Sequence, residues 1–420
     1  MIFMNMVDRE RELNALKKRL TSDDLELIII YGRRRIGKTF LVLNALKGEF
    51  IYYLATEKNN LRRFKELAEN KFHDLKYIRE DWESIFHYLR DRVIVIDEFP
   101  YMIKEGPSVL STFQKIIDET LRGSRTKLVL LGSSLSVMED IMSYKSPLYG
   151  RRTASMELKE LRFKDLRGFN LSLEDAVEIY GFAGGVPYYI LKAKTPFLNW
   201  INHELKQIDS FVKDEIDFML RYEFSETGTY KEILRGIASG KNTLGEIRDY
   251  IKIGGEVSSY LRKLERIGIV GKEFPLAQKK GARYHIKDNF TSFWFTFIYP
   301  NLSSIEEGVY EIGGDEYHQY LSKVFERICR EYVNDVYKVK VERAWYKDVE
   351  IDVYGGGIAG ECKWSDDVDG ERVLYQLTRK VEKLELNVKK YIIFARGFSK
   401  VGGEAEFIDL KSLEKWYRGG

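Results

Sequence analysis

The stretch that decides the fold is Gly32-Arg33-Arg34-Arg35-Ile36-Gly37-Lys38-Thr39. It matches the pattern G-x-x-x-x-G-K-[ST], in which glycines let backbone N–H groups surround phosphate oxygens. One apolar run, residues 25–31, precedes this stretch, and a second, residues 40–46, follows it. The sequence therefore predicts a buried strand, a phosphate-binding loop and a helix whose amino terminus faces the loop. This context argues against a chance glycine-lysine turn and predicts that the loop binds a nucleoside triphosphate.

Two segments of the first half, the loop and a run that ends in two acids, are predicted to contact the triphosphate, its Mg²⁺ or the attacking water. Lys38 is expected to contact the β- and γ-phosphates, and the Thr39 hydroxyl is expected to hold Mg²⁺. Another apolar run, 93–96, ends in Asp97 and Glu98. Ligands of parallel α/β sheets bind at the carboxyl ends of the strands. We therefore expect Asp97 to coordinate Mg²⁺, directly or through water, and Glu98 to polarise the attacking water as a general base.

Two further positions in this half have two interpretations each. The apolar run 127–131 leads into Ser133, whose hydroxyl either senses the γ-phosphate and orients the water or merely caps the next helix. Arg151 and Arg152 follow a turn. One of them is either an arginine finger that stabilises transition-state charge or a member of a surface salt bridge.

Composition limits the classes to which the protein can belong. A chain of 420 residues and 49.3 kDa predicts two to four domains. Because 68 Lys and Arg residues oppose 65 Asp and Glu residues, any nucleic-acid site must be local. The two cysteines have neither zinc-ligand nor C-x-x-C spacing. No apolar run has the length of a membrane span, and the run Met1 to Met6 is too short for a signal sequence. We therefore expect a cytoplasmic protein without membrane contact.

The middle of the chain, residues 226–300, has the pattern of three helices followed by a β-hairpin. Thr243 and Glu246 fit a capping box that opens the second helix. The hairpin turn is expected to contain Lys279 and Lys280. These elements predict a winged helix, which either meets DNA or only packs on the nucleotide-binding part and transmits its state. The aromatic run that follows, 290–299, is predicted to be a buried helix.

The last part of the chain, residues 301–420, contains a second group of candidate catalytic residues. Asp352 lies in one predicted strand, and Glu361 and Lys363 share a face of the next. Glu326, on a predicted helix, is a further candidate. Two carboxylates that meet on a sheet repel unless a cation neutralises them, so Asp352 and Glu361 predict an oxygen-liganded Mg²⁺ or Mn²⁺. Lys363 is then expected to activate a water that attacks a phosphodiester. The alternative is a solvated acidic hairpin.

The first half of the chain also resembles a known family. Its motifs occur in the order Met6-Val7-Asp8-Arg9-Glu10-Arg11-Glu12-Leu13, the loop with three arginines, Ile96-Asp97-Glu98-Phe99, Gly132-Ser133-Ser134, Leu148-Tyr149-Gly150-Arg151 and Gly185-Val186-Pro187. In order and spacing they are similar to archaeal ATPases of the STAND branch, relatives of AAA+ proteins. The resemblance implies an ASCE-type sheet in which the strand before Ser133 lies between the loop strand and the acid strand. It also implies a helical lid that places Pro187 near the adenine, and domain rearrangement controlled by ATP or ADP.

The last hundred residues resemble the PD-(D/E)xK nuclease superfamily. The resemblance rests on an acid in the first helix, Asp352, and the sequence Glu361-x-Lys363. It implies a metal-dependent nuclease-like domain. A member of the superfamily that has lost activity is the alternative.

Together these patterns predict an α/β protein with three parts. They are a P-loop NTPase core of ASCE type with a helical lid (1–225), a winged helix (226–300) and a restriction-endonuclease-like domain (301–420). Two functions remain open: an ATPase that cuts or binds DNA under nucleotide control, and a nucleotide switch or scaffold whose last domain binds DNA or protein without cutting. A small-molecule kinase lacks a visible acceptor site. Homo-oligomers are expected only if an arginine finger acts between subunits.

Overall fold

The computed structural model describes residues 7–252 and 256–419. The run Met1 to Met6, which bears on the signal-sequence prediction and begins the first resemblance motif, lies outside the described residues. The chain forms two compact units, residues 1–160 and 161–420. The predicted domain bounds therefore stay a prediction, and the helices assigned to a lid after residue 160 group with the second unit.

The first unit is a parallel sheet covered by helices on both faces. Its described strands are β1 (Glu26–Tyr31), β2 (Phe50–Leu54), β3 (Val93–Asp97), β4 (Lys127–Gly132) and β5 (Ala154–Glu157). Its helices are α1 (Glu10–Leu20), α2 (Lys38–Ala45), α3 (Asn60–Glu69), α4 (Trp82–Tyr88), α5 (Pro100–Glu105), α6 (Val109–Lys115) and α7 (Leu135–Met142). A 3₁₀ turn spans His73–Tyr77, and a π turn spans Ile116–Thr120.

The strand order β2-β3-β4-β1-β5 places β4 between β1 and β3. This is the position predicted for the strand before Ser133, so that prediction is confirmed. β1, β3 and β4 are apolar on both faces because each is buried beneath helices on both sides. Their carboxyl ends meet at one edge of the sheet, where the loop, the two acids and Ser133 follow them.

The second unit has two sets of helices around smaller sheets. Its helices are α8 (Leu173–Ala183), α9 (Pro187–Lys192), α10 (Phe197–Lys206), α11 (Glu215–Glu223), α12 (Gly228–Ala238), α13 (Leu244–Ile251), α14 (Val257–Arg266), α15 (Asn289–Phe293), α16 (Leu302–Glu306), α17 (Gly314–Tyr337), α18 (Gly370–Lys383) and α19 (Leu410–Arg418). Short turns span Phe163–Phe169, Trp294–Ile298 and Tyr299–Asn301. Its strands are β6 (Val270–Glu273), β7 (Arg283–Ile286), β8 (Glu342–Tyr346), β9 (Val349–Gly355), β10 (Ile358–Lys363), β11 (Val368–Asp369), β12 (Lys390–Ala395), β13 (Phe398–Lys400) and β14 (Glu406–Ile408).

The elements predicted for residues 226–300 are present. The helices α12, α13 and α14 precede the antiparallel pair β6–β7, and Thr243 and Glu246 form the predicted capping box. The aromatic run is helical and mostly buried, with Phe290, Phe293 and Trp294 almost inaccessible to solvent. It therefore belongs to a core and not to a surface that stacks bases.

The last part of the chain folds around a mixed sheet in the order β14-β12-β10-β9-β8. β8, β9 and β10 are antiparallel neighbours, whereas β12 runs parallel to β10. The long helix α17 and the helix α18 both contact β9 and β10. Within the described ranges, every helix is too short or too polar to cross a bilayer.

Candidate functional site

The loop between β1 and α2 has the backbone that its glycines predict. Gly32 has φ +151°, and a Cβ there would lie 2.3 Å from the Leu158 carbonyl oxygen, so only glycine fits. Gly37, with φ +96°, is the residue before the first turn of α2. Lys38 is buried, and its Nζ donates to the carbonyl oxygens of Gly32 (2.8 Å) and Arg33 (2.9 Å). The ammonium therefore lies inside the curve of the loop.

The remaining loop residues have distinct surroundings. Arg33 forms an ion pair with Glu160 (2.8 Å), while Arg34 is exposed to solvent. Arg35 has a left-handed backbone (φ +66°), and Ile36 is buried in the core beneath the loop. Ile36 thus anchors the loop, and its contribution to a ligand site comes from its backbone.

The Thr39 hydroxyl meets Asp97 at the edge of the sheet. Thr39 Oγ1 donates to Asp97 Oδ2 (2.6 Å), and the Tyr52 hydroxyl donates to the same oxygen (2.7 Å). Burial, followed by the bond to Asp97, raises the pKa of Tyr52, so its hydroxyl remains a donor. Hydroxyl and carboxylate oxygens are the donors that Mg²⁺ prefers. Thr39 and Asp97 therefore fit the predicted cation, and Tyr52 orients the acid.

Glu98 and Ser133 also lie together. Ser133 Oγ donates to Glu98 Oε1 (2.6 Å), and the Ser133 N–H donates to Glu98 Oε2 (3.4 Å). Glu98 has a left-handed backbone (φ +54°), which turns the chain directly after β3. Ser134, and not Ser133, precedes the first residue of α7. The capping interpretation of Ser133 is therefore wrong, because its hydroxyl is engaged with the candidate base.

Arg151 lies away from the loop within the chain. It lies three residues before β5, and Thr153, the residue that directly precedes β5, donates its N–H to the carbonyl of Leu27 at the start of β1. Gly32 follows the other end of β1, about 16 Å farther along the strand direction at 3.3 Å per residue. The Arg151 guanidinium binds Asp118 instead, with Nη2 2.6 Å from Oδ2. An arginine finger acting within one chain is therefore not supported at Arg151, and the salt-bridge interpretation describes this residue.

Pro187 begins α9 in the second unit. A Cβ on Gly185 would lie 1.8 Å from the Leu161 carbonyl oxygen, so this turn requires glycine and holds the start of α9 close to Leu161. Contact between Pro187 and adenine stays a prediction.

The second acidic site forms on the central strands β9 and β10. The antiparallel register that pairs Val353 with Gly360 places Asp352 opposite Glu361. Both are buried, and the Cys362 N–H donates to Asp352 Oδ2 (2.9 Å). Lys363 Nζ lies 2.9 Å from Glu361 Oε1, which confirms that these two side chains share a face.

Burial and the neighbouring negative charges disfavour the ionised form of Asp352. Burial, and then the charges of Glu361 and Glu326, raise the pKa of Asp352 to about 7. Glu326 lies on α17 beside Arg330, whose Nη1 donates to the Asp352 carbonyl (2.6 Å). Asp352, Glu361 and Lys363 therefore lie together, and the charge of Glu326 acts on Asp352 from α17.

The metal prediction at this second site is supported only in part. Lys380 Nζ contacts both oxygens of Glu361, at 2.9 and 2.8 Å. Among the described residues, no three or more His, Cys, Asp or Glu side chains are grouped to hold an ion. The oxygen donors of Asp352 and Glu361 suit Mg²⁺ or Mn²⁺ chemically, but a cation has to displace Lys380 from Glu361.

Sequence reasoning missed three partners of the predicted residues. They are Tyr52 at Asp97, Asp118 at Arg151 and Lys380 at Glu361. Lys380 is 17 positions after Lys363 and on a different element, so a short motif contains no signal for it. The amphipathic period of α18 is the one pattern that restricts Lys380 to a helix face.

Comparisons with known proteins find similar families and relatives. A model of the ATPase domain family that is found predominantly in Archaea matches residues 6–193. A second model, described as archaeal and bacterial proteins of unknown function, matches residues 294–379. A curated relative, the "Uncharacterized protein MJECL04" of Methanocaldococcus jannaschii, is 43% identical over 97% of this chain and 99% of its own length.

The chain is also similar to solved structures. The Walker-type ATPase PABY2304 of Pyrococcus abyssi superposes with a TM-score of 0.51 at 21% identity, covering 69% of this chain and 96% of that one. The ORC2 protein of Aeropyrum pernix, solved as ADPNP and ADP complexes, has a TM-score of 0.48 at 15% identity, covering 73% and 94%. The likeness to the Pyrococcus protein shows the P-loop NTPase fold alone.

The chain therefore belongs to the family of the Methanocaldococcus protein MJECL04, and its first half contains an archaeal ATPase domain.

Proposed function

We propose that this archaeal-type ATPase hydrolyses ATP at the loop of its first unit and that its second unit acts on DNA. The observation that carries the ATPase proposal is the paired geometry of Thr39 with Asp97 and of Ser133 with Glu98. The first pair supplies oxygens for a cation, and the second holds a carboxylate at the same edge of the sheet. A nucleotide switch needs only the first pair, so the engaged Glu98 favours turnover.

Each residue of the first site then has a defined task. The loop N–H groups and Lys38 bind the β- and γ-phosphates, and Thr39 and Asp97 hold Mg²⁺. A Mg²⁺ ion held by Thr39 and Asp97 would supply positive charge that neutralises the phosphates. Glu98 accepts a hydrogen bond from the attacking water, and Ser133 keeps Glu98 in the orientation that this contact needs. The test is ATP turnover by the purified chain with and without Mg²⁺. An absence of turnover in Mg²⁺, with nucleotide binding intact, would favour the switch.

Ser133→Ala tests the coupling to Glu98. Loss of a hydrogen bond to a charged group costs about 1.5–3 kcal/mol, so we expect turnover to fall roughly tenfold to a hundredfold while ADP affinity stays unchanged. Steady-state kinetics and calorimetric titration measure the two quantities. If Ser133 acts only through Glu98, adding Ser133→Ala to Glu98→Gln should cause little further loss. Fully additive losses would assign Ser133 a separate role.

For the second unit we propose a restriction-endonuclease-like domain that cuts DNA with Mg²⁺ or Mn²⁺, next to a winged helix. The support is the position of Asp352, Glu361, Lys363 and Glu326 on adjoining elements, together with the raised pKa of Asp352. A bound cation would offset the repulsion between the carboxylates. DNA or protein binding without cutting is the alternative, and the contact of Lys380 with Glu361 favours it.

Asp352→Ala decides between cutting and binding. We expect the wild-type chain, incubated with circular and branched DNA in Mn²⁺, to produce nicked or linear products, and Asp352→Ala to reduce them at least about a hundredfold. Gel electrophoresis with and without ATP measures the products. Asp348→Ala, an exposed acid on the turn before β9, is the matched control. Equally intact DNA with wild type and Asp352→Ala would favour binding without cutting.

The proposal involves an oligomer only through Arg151. Arg151 can serve a neighbouring subunit's nucleotide if assembly releases it from Asp118. A fall in turnover on dilution, with sedimentation showing dissociation, would support this arrangement.

A further inference from the structure

The second unit contains a cavity of about 570 Å³, to which the proposed function assigns no ligand although Glu326 is part of its wall. It lies between the helix α17, the hairpin β6–β7 and the residues 292–301. Pockets that bind small molecules commonly have volumes of about 300–1,000 Å³. The cavity is therefore large enough for one nucleotide.

One face of α17 forms a long wall of the cavity. The lining residues Glu316, Tyr320, Lys323, Arg327 and Arg330 recur every three or four positions and so share a face of the helix. At a rise of 1.5 Å per residue, the distance along the helix from Glu316 to Arg330 is about 21 Å. The cavity thus has two separated ends with different chemistry.

The end near Arg330 is cationic. Arg327, Arg330 and Arg343 line it together with Glu273 and Glu326, which pair with Arg343 and Arg330, and the whole cavity has five Lys or Arg residues against three Glu residues. Burial, and then the charges of Arg327, Arg343 and Arg330, lower the pKa of His285 to about 4. This histidine therefore stays neutral, first because it is buried and second because guanidinium groups lie near it.

These cations keep donors for a ligand. Arg327 Nη1 donates to the Lys287 carbonyl (3.0 Å), and a guanidinium has five N–H donors in all. Lys323 is exposed to solvent at the cavity wall. Arginine and lysine donors of this kind suit a phosphate group.

The end near Glu316 is largely uncharged. Apart from the Glu316 carboxylate, it has the ring of Tyr310 and the amide of Gln319, which lies one turn from Glu316 on α17. Burial, and then the charge of Glu316, raise the pKa of Tyr310 to about 12, which places its ring near Glu316. An aromatic ring with a neighbouring amide suits a planar base that presents donors and acceptors at its edge.

We propose that this cavity binds a nucleotide, with its phosphate at Lys323 and Arg327 and its base near Tyr310 and Gln319. The nucleotide is either free or the terminal unit of a DNA strand, since both present the same chemistry. This site is separate from the loop at Lys38, and it adjoins the acidic site at Asp352 through Glu326 and Arg330 of α17.

The test uses Lys38→Ala chains, in which binding at the loop is removed, so that the binding measured is that of the cavity. Calorimetric titration with AMP and with an oligomer of eight deoxythymidines measures binding by the free and strand forms. We expect at least one of the two probes to bind with a stoichiometry of one. If AMP binds, adenosine, which lacks the phosphate, should bind at least about tenfold more weakly than AMP. Adding Lys323→Gln and Arg327→Gln should weaken the bound probe by about tenfold or more.

A matched variant controls for charge alone. Arg379→Gln removes one cation from an exposed position of α18, which does not line the cavity, and should leave the affinity unchanged. Thermal melting checks that each variant is folded. If the double variant is unfolded, Lys323→Gln alone, at an exposed position, replaces it in the test. Failure of both probes to bind, or equal affinity in the cavity variants, would overturn the proposal.

Discussion

The Lys38→Ala chain is expected to lose the heat of nucleotide binding at the loop when it is titrated with ATP or ADP at concentrations that saturate the wild type, so any heat that remains comes from the cavity beside α17. Lys38 is buried inside the loop, where its ammonium now bonds two loop carbonyls and can reach bound phosphates. Removal deletes a cation that meets a multiply charged ligand, so we expect affinity to fall by at least about a hundredfold, given about 1.5–3 kcal/mol for each charged hydrogen bond.

The matched control is Lys47→Ala. Lys47 is an exposed lysine just beyond the other end of α2, so its removal changes the net charge equally. Its nucleotide affinity should equal that of the wild type. If Lys38→Ala bound nucleotide as tightly as Lys47→Ala, the loop would not be the nucleotide site, and the proposed function would fail.

The second large effect is expected for Glu98→Gln, which should retain ADP and ATP affinity and lose turnover by about 10²–10⁴-fold. Glutamine keeps an oxygen that can accept the Ser133 hydrogen bond but cannot take a proton from water. Steady-state phosphate release and calorimetry measure the two parameters. Glu119→Gln, at an exposed position of the same unit, should hydrolyse ATP normally. Retained hydrolysis in Glu98→Gln would exclude this carboxylate as the general base.

Local sequence patterns predicted the first unit well because its candidate site residues lie at or directly after the ends of strands. The loop, Asp97 and Ser133 each come after an apolar run, and parallel strands bring their carboxyl ends to one edge. The order of β1, β3 and β4 came from the family resemblance and is confirmed. The position of Arg151 relative to the loop could not be predicted from the sequence, because it depends on the register of β5 with β1.

The second unit was less predictable for a related reason. Alternation along β10 correctly placed Glu361 beside Lys363, since that rule needs only one strand. The contact of Lys380 with Glu361 depends on how α18 packs on the sheet, which no local pattern specifies. For the same reason the cavity beside α17 could not be foreseen, although the three- and four-residue spacing of its charged wall is visible in the sequence.

The hydrogen bonds that converge on Asp97 have one more consequence. Because the Thr39 hydroxyl donates a hydrogen bond to the carboxylate, the lone pairs of its oxygen stay available to a metal ion. Tyr52 fixes the same carboxylate from β2, so neither ligand has to change rotamer when magnesium arrives. Little conformational entropy is lost on loading, and such preorganised sites fill without a slow ordering step.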